Sequence, residues 1–338
     1  MRYHPLGTSG VLVSELCLGT MTFGEGWGLG GIDVPGATRI VGRALDAGIN
    51  FVDTADVYSN GASEEILGEA LRGRRDSVVL ATKAFGKMGS GPNDAGLSRY
   101  HLVRACESSL RRLGTDRIDL YQIHGFDPHT PLDEVLRALD HLVQSGKVLS
   151  IGFCNLAAWQ AARALGISEA RGLVRFVSAQ MYYSLVGRDI EAEIVPLCKA
   201  ENLAILPWSP LAGGFLTGKY HRDQAEHPAG SRFATSKFGA FPPVDQELGF
   251  DVVDRLLALA VEYDTTPTTI AIRWLLSRPA VTSVIIGVRH PEQLDANLDA
   301  TTLDIPQDAL DGLTAMTAPK PRYPQWMIER QAAANRVV

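Results

Sequence analysis

The chain has 338 residues, 46% of them hydrophobic and 21% charged, and a formal net charge of -6. A chain of this size and balance can bury a large core. Its acidity argues against a general nucleic-acid binder or an anionic-membrane binder, since both need a basic face. The cysteines Cys17, Cys106, Cys154 and Cys198 are widely spaced, with no C-x-x-C, and read as free thiols in a reducing compartment. No run of signal-peptide or membrane-span character is evident, so the cytoplasm is the expected location.

In chain order, residues 2–14 predict a hairpin, with "RYHPLG" and "VLVSE" flanking the turn residues Gly7 to Gly10. Short apolar runs then alternate with amphipathic stretches. The runs are 15–21, 49–55, 77–83, 117–124, 148–155, 176–183, 203–210 and 281–287. Helix-like segments include 37–47, 63–72, 98–113, 131–145, 157–165, 190–201 and 267–277, with two more at 291–300 and 306–316. Eight strands in alternation with helices predict a parallel sheet, and eight is the number that closes a (β/α)8 TIM barrel. No linker-like segment divides the chain. The expectation is one α/β barrel domain over 1–338, with an N-terminal β-hairpin and a helical tail from 291 onward. The stretch from about 213 to 243 is rich in Gly, Pro and aromatics, which suits a lid over a site or a disordered insertion.

Two glycine motifs invite other readings. "GWGLGG" satisfies G-x-G-x-x-G at Gly26, Gly28 and Gly31, but it stands far from both the preceding strand and the following helix. A flexible active-site loop fits better than a dinucleotide turn. "GGFLTGKY" approaches a P-loop through Gly213, Gly218 and Lys219, but Tyr220 stands where Ser or Thr would hold magnesium. What survives is anion binding by glycine-rich backbone, without phosphoryl transfer.

The polar residues at strand ends carry the chemistry. "NFVDTADVYSNG" places Asp53 at the end of an apolar strand, where an unpaired carboxylate is costly. The next strand ends near Lys83 and the one after near His124, with Tyr58 in the loop after Asp53. Adjacent parallel strands lie about 4.8 Å apart, so these groups can meet. Asp53 and Lys83 can neutralise each other. Lys83 beside the phenol is expected to lower the Tyr58 pKa from about 10 and make it a proton donor near neutral pH. His124 can share the proton or orient a carbonyl oxygen. Each residue alone also fits a structural role, Asp53–Lys83 as a core ion pair and Tyr58 as a packed loop aromatic. Their coincidence at three successive strand ends favours carbonyl reduction by an external hydride donor. A metal site at His124, Asp127 and His129 matches none of the common zinc spacings and faces Lys83.

"FVDTADVYSNGASEEILGEAL", "LATK", "DLYQIHGFDPHTP", "SAQMYYSL" and "PWSPLAGGFLTGKY" together resemble the aldo-keto reductase family, in order and over nearly the whole chain. The resemblance is closest to the branch holding bacterial members and potassium-channel β subunits. It implies a barrel that binds NADPH, and a catalytic tetrad of Asp53, Tyr58, Lys83 and His124 acting on an aldehyde or ketone. It also implies nucleotide contacts at Thr20, Met21 and Asp53, and at Cys154, Asn155 and Gln180 near the nicotinamide carboxamide. Trp208 would stack on the nicotinamide ring, although simple core packing is an equal reading of the residue itself. Ser209, Leu211, Gly213 and Lys219 match the pyrophosphate segment, and Arg232 a further position in the lid. Gly287, Arg289, Gln293 and Asn297 match the segment around the adenosine 2′-phosphate, which implies NADPH over NADH. Relatives usually carry serine at 154 and often glutamate at 296, where this chain has Cys154 and Ala296. His124 is retained where channel β subunits have asparagine, which favours a reductase. The other readings are a slow redox-sensing subunit that binds NADP(H) and a protein partner, or a barrel enzyme of different chemistry. The substrate and the oligomeric state are not readable. The loop 23–36, the surroundings of Phe126, the 213–243 stretch and the tail with Tyr323 and Trp326 are the expected substrate determinants.

Overall fold

The computed structural model describes residues 1–26, 31–222, 228–235, 237 and 239–335. Strands β1 (Tyr3–Pro5) and β2 (Leu12–Ser14) form the expected antiparallel hairpin, pairing Tyr3 with Ser14 and Pro5 with Leu12. Eight strands follow. They are β3 (Leu16–Gly19), β4 (Phe51–Asp53), β5 (Val79–Ala84), β6 (Ile118–Ile123), β7 (Val148–Cys154), β8 (Phe176–Tyr182), β9 (Ala204–Trp208) and β10 (Val284–Gly287). All pair in parallel, in the order β10-β3-β4-β5-β6-β7-β8-β9. A parallel bridge between Ile205 and Val281, with Thr282 N–H donating to Ile205 O at 2.9 Å, joins β9 to the approach of β10. The ring is a (β/α)8 TIM barrel, seven of its strands falling inside the expected apolar runs and β5 ending one residue past its own, at Ala84.

The helices stand between strands because their apolar stripes need cover. They include Val34–Asp46, Ala62–Ala70, Arg99–Leu113, Leu132–Gln144, Ala158–Arg171, Ile194–Glu201 and Pro267–Leu276. The fifth runs six residues past the expected end and stops at Gly172, whose φ of 61° closes it. A 17-residue helix, Gln246–Glu262, lies outside the segments singled out from periodicity. It is capped by Asp245, which accepts from the Leu248 amide. Pro291–Asp299, Gln307–Met316 and Gln325–Asn335 form the helical tail. The lid-like stretch holds a 3-10 run, Ala212–Thr217, and one short turn of helix, Arg232–Thr235. Its residues 223–227, 236 and 238 lie outside the described residues, as do Gly28 of the G-x-G-x-x-G motif and residues 336–338 of the tail.

The core has two parts. A large one fills the space between strands and helices. A smaller one fills the barrel itself and includes Cys17, Phe51, Ala81, Leu120, Leu206 and Ile285. The hairpin closes this inner core from below with Leu6 and Val13, both fully buried. Gly7 makes the fit possible: its φ is +58°, and a Cβ there would stand 2.1 Å from Val177 O. With the bottom plugged by apolar side chains, only the C-terminal ends of the strands remain for a site, as in other barrels of this kind.

Candidate active site

Strand periodicity places the reactive groups. Residues two apart share a face. Phe51, Ala81 and Leu120 point into the barrel, so Asp53, Lys83 and Gln122 do so one layer higher. All three are buried. Lys83 Nζ donates to Asp53 Oδ1, to Thr54 O at 2.8 Å and to Tyr58 Oη at 3.2 Å. Asp53 Oδ2 accepts from Gln180 Nε2 at 2.8 Å and Gln122 Nε2 at 3.1 Å. The costly carboxylate is thus fully paired, by one ammonium and two amides.

Tyr58 is delivered by a tight loop. The Thr54 and Asp56 amides bond back to Ala81 O and Lys83 O along β5, and the Tyr58 amide bonds to Ala55 O. Ser59, Asn60 and Gly61 then all take positive φ, which turns the chain into helix Ala62–Ala70. Ser59 Oγ donates to Phe23 O at 2.9 Å and fixes the turn from the other side. The Tyr58 and His124 rings meet edge to face at 5.9 Å.

The electrostatics correct one expectation. Burial raises the Tyr58 pKa above the usual tyrosine value, and Lys83 offsets this only in part because Asp53 opposes it. The sequence reading counted the Lys83 charge but not the enclosure of the phenol. Tyr58 therefore keeps its proton at neutral pH. Burial works against the Lys83 ammonium, but Asp53, Tyr58 and Cys154 together outweigh it and hold its pKa above the ordinary lysine value. Burial and the Lys83 charge push His124 down to about 3, so its imidazole is neutral.

Above this floor opens a cavity of about 770 Å³. Of the site residues expected from sequence, all but Lys83 and Cys154 line it. Lys83 lies beneath the floor. Cys154 is buried, and its thiol faces Gln122 Oε1 at 3.9 Å. At one wall Trp208 donates to Asn155 Oδ1 at 3.0 Å, and Asn155 Nδ2 donates to the His124 carbonyl at 3.3 Å. Phe241 stacks on Trp208 with ring centroids 5.8 Å apart. Phe241, from the 213–243 stretch, also lines the cavity, as do Thr22 and Thr268, which sequence reasoning missed along with Gln122 beneath it. A glutamine two residues before His124, on the strand face that Leu120 turns into the barrel, was the available signal for Gln122.

The far end of the cavity is cationic. Lys219, Arg232 and Arg289 line it, and among the described residues none of them has a carboxylate partner. Burial and the neighbouring arginines lower the pKa of Lys219, and burial and Arg289 that of Arg232, whose buried Nε has no hydrogen-bond partner among the described residues. Gly213, Gly214 and Gly218 all have positive φ, and a Cβ on Gly214 would stand 2.9 Å from Lys219 Nζ. Cations without a carboxylate partner among the described residues, beside glycine-rich backbone, fit a bound anion. Gln293 Oε1 accepts from the Arg289 amide at 2.7 Å, and Arg289 Nη1 donates to Gly230 O at 3.0 Å.

A model of the Aldo/keto reductase family matches residues 15–317. The chain belongs to the aldo-keto reductase family. As a member of that family it is an oxidoreductase. It is similar to an uncharacterized oxidoreductase, YrpG, of Bacillus subtilis (strain 168), at 39% identity over 92% of this chain and 94% of that one. It is 36% identical to a probable voltage-gated potassium channel subunit beta of Arabidopsis thaliana, covering 96% of this chain and 99% of that one. A versiconal hemiacetal acetate reductase of Aspergillus parasiticus is 32% identical, again over 96% and 99%.

Proposed function

We propose that this aldo-keto reductase uses NADPH to reduce a small aldehyde or ketone, with Tyr58 as the acid. The observation that carries the proposal is the position of Lys83 Nζ, bonded at once to Asp53 and to the Tyr58 hydroxyl under the cavity floor. Bound NADPH would supply the hydride for the carbonyl carbon. Tyr58 gives its proton to the carbonyl oxygen, and the Lys83 ammonium stabilises the phenolate left behind. Asp53 keeps Lys83 charged and in place. His124, neutral at working pH, orients the carbonyl oxygen by a hydrogen bond and is not the proton source. Lys219, Arg232 and the Gly213–Gly214 backbone would hold the pyrophosphate, and Arg289 the 2′-phosphate. Trp208 and Asn155 would face the nicotinamide.

A second reading, a slow redox-sensing subunit on a protein partner, draws on the likeness to the plant protein named a channel β subunit. His124 speaks for turnover, since the resemblance places asparagine there in channel subunits.

The test is fluorescence titration with NADPH and NADH, followed by turnover of 4-nitrobenzaldehyde by the parent and by Tyr58→Phe. Tight quenching by NADPH, weak quenching by NADH, and loss of turnover in Tyr58→Phe with NADPH affinity intact are expected. Unchanged turnover in Tyr58→Phe would overturn the assignment of the acid. No response to either nucleotide would overturn the cofactor.

A further inference from the structure

The side chain of Gln122 is held by three partners. Its Nε2 donates to Asp53 Oδ2 at 3.1 Å, and its Oε1 receives Gln180 Nε2 at 3.3 Å and the Cys154 thiol at 3.9 Å. An amide can be turned end for end, but two donors facing Oε1 leave only one orientation in which every group is matched. Gly152 makes room for it: a Cβ there would stand 3.2 Å from Gln122 Cγ and 2.4 Å from Ser178 Oγ. Cys154 is 1% exposed and Gln122 is fully buried, so neither is placed to touch a substrate.

We infer that Cys154 and Gln122 are positioning residues, the thiol fixing the amide of Gln122 and the amide fixing the second oxygen of Asp53, so that Asp53 holds Lys83 against Tyr58. This rests on the reading of Tyr58 as the acid. It departs from the expectation that Cys154 contacts the nucleotide. Burial keeps the Cys154 thiol protonated, and the thiol is therefore available as a donor. Asp53 Oδ1 is committed to Lys83, so its rotation about the carboxyl axis is set by the two amides on Oδ2. Of these, Gln180 also lines the cavity, whereas Gln122 does not. Gln122 is thus the donor that stays on Asp53 whatever the cavity holds.

A loosened Asp53 supports the Lys83 ammonium less well and bears less on Tyr58. Both changes move the same way: the alkaline limb of the reductase profile shifts to lower pH. The groups facing Asp53 are Lys83, Tyr58, and the Cys17 and Cys154 thiols, both raised by burial.

The test uses Gln122→Met, which keeps length and removes the amide, with Cys154→Val and Cys154→Ser, each read against Tyr58→Phe. With NADPH and 4-nitrobenzaldehyde, Gln122→Met should lose roughly tenfold or more in kcat, with the alkaline limb about one pH unit lower. NADPH Kd from fluorescence quenching should stay within about twofold. Cys154→Val should move both quantities in the same sense, and Cys154→Ser, which restores a donor, should recover them. If Gln122→Met fails to fold, the two Cys154 variants carry the same comparison. A weakened NADPH Kd with unchanged kcat and pH profile would overturn the inference and return Cys154 and Gln122 to the nucleotide site. A profile unchanged throughout, with Tyr58→Phe inactive, would overturn the inference alone. An active Tyr58→Phe would overturn the reading beneath it as well.

Discussion

Asp56 lies between Asp53 and Tyr58 in the loop that carries the proposed acid. It is 1% exposed, and among the described residues neither of its carboxylate oxygens has a hydrogen-bond partner. Glu64 lies nearby, itself fully buried and held by Thr82 Oγ1 at 2.5 Å and Arg112 Nε at 2.7 Å. Burial and the Glu64 carboxylate push the Asp56 pKa up to about 7, and the charges of Arg112 and Lys83 pull it back only in part. An unfolded aspartate titrates near 3.9. Between these values the folded chain keeps a proton that the unfolded chain has released. Stability therefore falls as pH rises from about 4 to 7, then levels off. Three pK units correspond to roughly 4 kcal/mol, an upper figure because a buried site relaxes when it charges. Asp56→Asn keeps the shape and removes the titration. Urea unfolding at pH 4.5, 6 and 8 should favour the variant by about 1 kcal/mol at the lowest pH, and by up to the full amount at pH 8. A difference that does not grow with pH, or a variant less stable at pH 8, would refute the reasoning.

Two further outcomes follow from the same floor. Lys83→Met leaves Asp53 buried with its two amides but no cation, and should cost about 3 kcal/mol in urea unfolding at pH 7, together with turnover. A variant as stable as its parent would mean that the ion pair is not holding the floor. His124 is neutral across pH 5–8, so His124→Gln should lower kcat/KM without changing the shape of its pH profile in that range. A limb near pH 6.5 that is present in the parent and absent from the variant would count against a neutral imidazole.

How much of this was legible in the sequence depends on what each residue costs where it stands. Asp53, Lys83 and His124 announce themselves because charge or a titratable ring at the end of an apolar strand demands a partner, and the period of two tells which face it occupies. Gln122 stands in the same layer and is as buried as Lys83, but a neutral amide raises no comparable alarm. Its role appears only when its partners are known, and they come from β4, β7 and β8, up to 69 residues away in sequence. The Tyr58 pKa departs from expectation for a related reason: a neighbouring charge can be inferred from strand order, whereas desolvation depends on how the folded chain packs around the phenol. Helix Gln246–Glu262 had a readable cap in Asp245 and an apolar stripe at Val252, Val253, Leu256, Leu259 and Ala260. Strict alternation of strand and helix leaves room for one helix between β9 and β10, and the chain places two long ones there. The rule that identifies the barrel is thus the rule that hides this addition. The extra helix packs against the 3-10 run Ala212–Thr217, the run that curls around Lys219 at the cationic end of the cavity. It departs from the repeat at the glycine-rich loop proposed above to hold the anion.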